Sequence, residues 1–84
     1  MSNNNKQTFT VEGFFKGADD RLYLFKDYED ESLEFELCKE DILRKFDLNG
    51  TREIDKPFTI TYVLCDDDEH EEVELEIIDL KRIR

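Results

Sequence analysis

The sequence predicts a mainly-β domain, strictly α+β by count: a small, five-stranded, partly open barrel of the OB type, with elements in the order β-β-β-α-β-β. Two observations carry this. Apolar and polar residues alternate through five stretches, the period of half-buried strands. Between the third and fourth stretches the period changes once, to that of a helix. Three strands before the helix argue against a β-grasp, which has two, and match the OB arrangement.

The chain has 84 residues, enough for a single small domain. It carries 12 Lys+Arg against 23 Asp+Glu, a net charge of −11. A charged fraction of 42% and a mean hydropathy of −0.72 lean towards disorder. The periodicity and seven Phe and three Tyr outweigh that, because they supply a core. Residues 1–7 are polar and Asn-rich and read as a disordered start, with the domain spanning 8–84.

The first strand begins at Thr8, with Phe9, Val11 and Phe15 inward and Thr8, Thr10, Glu12 and Phe14 outward. Gly13 interrupts the inward row, where glycine marks a bulge or a sharp coil. Gly17-Ala18-Asp19-Asp20 reads as a tight turn. The second strand runs from Leu22 to about Tyr28, placing Leu22 and Leu24 on one face and Tyr23 and Phe25 on the other. The third, Ser32 to Cys38, alternates most cleanly: Leu33, Phe35 and Leu37 in, Glu34, Glu36 and Cys38 out.

Ile42, Leu43 and Phe46 fall on one side of a helix over 39–48. Acids in its first turn and Arg44 and Lys45 near its end suit the helix dipole, and Asn49-Gly50 offers a left-handed residue to close it. Pro57 opens the fourth strand, with Phe58, Ile60, Tyr62 and Leu64 on one face and Thr59, Thr61, Val63 and Cys65 on the other. An acidic loop over 66–72 leads to the last strand from Val73. There the inward phase slips at Ile77-Ile78, the mark of a bulge.

Motifs for chemistry are sparse. The sequence has no phosphate loop, no Gly-rich dinucleotide turn and no HExxH, and twenty-three acids make any carboxylate pair uninformative. Cys38 and Cys65 show no zinc spacing, and acidic neighbours disfavour a Cys65 thiolate beside His70. No enzyme activity and no cofactor are expected. Eight of the eleven residues from Asp66 to Glu76 are acids. Asp66, Asp67, Asp68 and His70 are therefore candidate ligands for a divalent cation, but no glycine supplies the sharp turn of a calcium loop. A solvated hairpin loop explains the same residues.

Partners are narrowed by charge. An OB barrel binds single strands through aromatic platforms in a basic groove. Here Tyr23, Phe25 and Tyr28 are available, but the third strand exposes Glu34 and Glu36. The loop before it holds Asp27, Glu29, Asp30 and Glu31, and the loop between the last two strands holds Asp67, Asp68 and Glu69. Phosphate is repelled, so neither nucleic acid nor an anionic membrane is expected as a partner. The absence of a hydrophobic leader in residues 1–7 gives a cytoplasmic expectation, with free thiols.

These features point to a protein-binding module that shows a negative surface to a basic partner, through Glu29, Asp30, Glu34, Glu36, Asp67, Asp68, Glu69, Tyr23 and Tyr28. Three other expectations stand beside it. One is a homo-oligomeric structural domain using an aromatic patch of Phe14, Tyr23, Phe25 and Tyr28, although the barrel's core also accounts for these residues. The others are an inhibitor or immunity-type nucleic-acid mimic and a divalent-cation binder.

Overall fold

The computed structural model describes residues 7–67 and 72–83. The elements are β1 (Thr8–Asp19), β2 (Leu22–Lys26), β3 (Ser32–Phe35), β4 (Leu37–Cys38), α1 (Glu40–Lys45), β5 (Pro57–Asp67) and β6 (Glu72–Arg82). The strands form one sheet in the order β3-β2-β1-β5-β6-β4, antiparallel throughout except for the parallel pair β4–β6. Because β3 and β4 are consecutive pieces of one stretch, the two ends of the order meet. The sheet thus curls into a partly open barrel of the expected OB type.

There are six strands where five are expected, because the third is cut at Glu36. Residues 32–35 pair with β2 and residues 37–38 pair with β6. At the cut, Glu36 Oε1 accepts the backbone N–H of Leu75 at 2.8 Å, supplying an acceptor where the ladder is interrupted. The interruption also reverses the alternation. Phe35 is buried as expected, but Leu37 is exposed and Cys38 packs against the core. The expectation of Leu37 inward and Cys38 outward is corrected accordingly, since one residue out of phase flips every later side chain.

β1 is shared between two neighbours: Thr8 to Phe14 pair with β5, and Phe14 to Asp19 pair with β2. Gly13 lies where β2 crowds in, and a Cβ there would sit 2.7 Å from the Lys26 carbonyl oxygen. The β1–β5 register passes through Gly13 unbroken, so the glycine serves close approach. The irregularity falls instead between Phe15 and Gly17. The strand then continues to Asp19, and the turn falls at Asp20 and Arg21, both with positive φ (48° and 68°), later than expected.

The helix is shorter than the expected 39–48. Lys39 occupies its N-cap position with no side-chain bond, and Phe46 leaves the helical region at φ −125°, ψ 138°. Gly50 is not left-handed and does not close the helix. It makes room for the carboxylate of Asp47, which a Cβ would strike. The second strand likewise stops at Lys26, short of Tyr28.

Phe15, Phe25, Phe35 and Phe58 form the core with Ile42, Leu48, Ile60, Ile77 and Leu80. Phe25 is central, meeting Phe15, Phe35 and Phe58 edge-on at centroid distances of 5.1, 5.6 and 6.3 Å. The slip at Ile77-Ile78 is a bulge: the register moves from Thr61↔Asp79 to Tyr62↔Ile77, which lets both Ile77 and Leu80 point inward. The last hairpin is longer than expected. Backbone pairing continues through Asp66↔Val73 and Asp67↔Glu72, since carboxylates at a strand end do not remove ladder donors or acceptors.

A candidate partner-binding surface

The connection between β2 and β3 is held by its own first residue. Asp27 Oδ1 accepts the backbone N–H groups of Glu29 and Glu31, both at 2.9 Å. Backbone bonds from Asp27 N to Glu31 O and from Asp30 N to Asp27 O close the loop, with Asp30 left-handed at φ 65°. Its tip therefore has a fixed shape, and Tyr28 projects from it, 60% exposed. Phe14, on the outer face of β1, lies edge-on to the Tyr28 ring at 5.4 Å.

Beside this pair lies an open hollow of about 550 Å³ lined by Thr10, Val11, Glu12, Asp27, Tyr28 and Glu29. Three of these six residues are acids. The one lysine of β2 near the loop, Lys26, is within 3.3 Å of Asp30 Oδ1, a surface contact of small energetic weight. Glu12 was not among the candidate residues. The sequence places it on the outer face of the first strand, but nothing in the alternation brings it to the β2–β3 loop; the pairing of Phe14 with Lys26 does that.

The other candidates are dispersed. Glu34 is exposed on β3, opposite Leu24 of β2. Glu36 is half-buried and engaged with Leu75. Tyr23 lies on the inner face, paired with Phe35 and packed on the core. Burial, and then the charge of a Cys38 thiolate, push its phenol above the ordinary value. The aromatic patch therefore divides, Phe14 and Tyr28 outside, Tyr23 and Phe25 inside. Asp66 and Asp67 are described only as backbone at the end of β5, while Asp68, Glu69 and His70 lie outside the described residues. The segment 1–7 does so too, apart from an exposed Gln7.

Among the described residues no three acid, His or Cys side chains are grouped as metal ligands would be. Both cysteines are free thiols. Cys65 Sγ donates to Glu76 Oε1 at 3.9 Å. Cys38 pairs with Ile77 on the other side of β6, and burial, then the Glu76 carboxylate, push its thiol up to about 12. Neither thiol has the electropositive surroundings of a nucleophile.

Sequence reasoning also passed over Glu53, the buried charged residue among those described, at 3% exposure. It lies in the connector 51–56, where no periodicity announces an inward side chain.

Fold and surface together define an acidic OB-type barrel with a carboxylate-lined hollow beside an exposed tyrosine. Comparison of the chain with protein-family models, characterised proteins and solved structures finds no match.

Proposed function

We propose that the domain is a non-catalytic protein-binding module that receives a basic segment of a partner protein. The observation that carries this reading is the hollow, which Glu12, Asp27 and Glu29 line together with the exposed Tyr28. Carboxylates accept charge-assisted bonds from a guanidinium or ammonium group, and an aromatic face attracts the same cation. The loop is already ordered by Asp27, so little conformational freedom is lost when a partner docks. The net charge of −11 adds long-range attraction that speeds encounter with a basic partner.

The test is fluorescence anisotropy with a labelled hexa-arginine peptide, at about 50 and about 300 mM salt, which brackets a Debye length near the size of the hollow. Binding should weaken steeply at the higher salt and be lost in the double variant Glu12→Lys/Glu29→Lys. A salt-insensitive complex, or one the double variant binds equally well, refutes the reading.

A further inference from the structure

The β5–β6 hairpin is longer than the barrel that carries it. Pairing of β1 with β5 ends at Thr8↔Val63, and pairing of β4 with β6 ends at Leu37↔Glu76. Beyond those points, among the described residues, β5 and β6 pair only with each other. The alternation nevertheless continues. Leu64 and Leu75 are partners, and Val73 is two residues from Leu75, so all three share the face that holds Tyr62 and Ile77 in the barrel. Leu64 is 41% exposed and Val73 52% exposed. The core face thus runs out into solvent as an apolar strip. The opposite face of the same ribbon carries Cys65, Glu74 and Glu76.

We propose that this strip is a docking site for an apolar segment of a partner protein flanked by Lys or Arg, the apolar side chains lying on Leu64 and Val73 and the basic ones reaching the carboxylates behind. This rests on the basic-partner reading above and gives that partner a second point of attachment. Charge selects the occupant. A second copy of this chain would bring −11 against −11 and set acidic strands beside their own images, where like charges repel. A segment with basic flanks gains from the same carboxylates while covering the apolar surface.

The experiment uses the full chain and two labelled peptides of equal charge, Lys-Val-Lys-Leu-Lys-Val-Lys and Lys-Ser-Lys-Ser-Lys-Ser-Lys. The apolar peptide should bind about tenfold or more tightly than the serine peptide, in keeping with burial of two half-exposed side chains. The variant Leu64→Ser/Val73→Ser should lose that margin while still binding both peptides. The variant Leu64→Met/Val73→Ile should keep it, and melting curves of both variants show that the barrel is intact. If the wild-type chain binds the two peptides equally, the strip is overturned and the acidic-surface reading survives. If neither peptide binds at low salt, both fail. Concentration-dependent mass in sedimentation, abolished by the serine variant, would assign the strip to a second copy and overturn the proposal.

Discussion

Glu53 Oε1 accepts a hydrogen bond from Arg82 Nη2 at 2.5 Å, and the carboxylate that does so is almost wholly shielded from water. The same guanidinium lies 5.9 Å from the centre of the Phe46 ring, and Lys56 Nζ stands 3.9 Å from the carboxylate. One ion pair thereby joins the connector, the helix exit and the end of β6. Arg82→Met keeps an apolar stem over Phe46 but leaves the buried carboxylate with only the longer Lys56 contact, so unfolding by urea should show a loss of about 2–3 kcal/mol. The double variant Glu53→Gln/Arg82→Met should lose less than the two single variants added together. Strict additivity would show that the two groups do not act as a pair.

Gly13→Ala should destabilise by about 2 kcal/mol or more. The added methyl would meet the Lys26 carbonyl, which belongs to a paired strand and cannot swing aside as a flexible side chain would. A denaturation midpoint equal to that of the wild type would mean that β1 and β2 separate there at little cost.

The two-residue turn between β1 and β2 holds Asp20 and Arg21 left-handed, a conformation that favours Asn and Gly. Asp20→Asn/Arg21→Gly should therefore stabilise the domain by about 0.5–1 kcal/mol, read as a raised melting temperature. A lowered melting temperature would show that the side chains present hold the turn by contacts of their own.

Alkaline pH should weaken the fold. Cys38 is pushed up to about 12 and Tyr23 is also raised, both first by burial, so the native state keeps protons that the unfolded chain gives up sooner. The stabilisation is complete below the unfolded thiol's ordinary value, near 9.0, and declines as pH rises towards about 12. Melting temperature measured from pH 8 to 11 should fall, and less steeply for Cys38→Ala. Parallel curves for the two proteins would remove Cys38 from the explanation.

Much of the fold was legible because the strands are half-buried. Phe9, Val11, Phe15, Phe58 and Ile60 take the inward side that alternation assigns, and the slip at Ile77-Ile78 is a register change. The errors share a physical origin, since each depends on a partner distant in sequence. Glu36 breaks its strand where one neighbour gives way to another. Val63 has outward parity yet is 5% exposed. Glu53 turns inward onto Arg82, far along the chain. The candidate surface was half legible. Its acids and Tyr28 stood out as a loop, but Asp27 as the residue that fixes the loop and Glu12 as its neighbour depend on geometry that no local pattern encodes.

The parallel pair β4–β6 also fixes an order of assembly. Residues 37–38 find their partners only at residues 76–77, so the ring cannot close until β6 is in place. The hairpins β1–β2, β2–β3 and β5–β6 are local and can form early, whereas this non-local pairing must await closure of the loop between them. During synthesis the first three strands would leave the ribosome as an unfinished sheet, its inner phenylalanines uncovered until the last strand arrives.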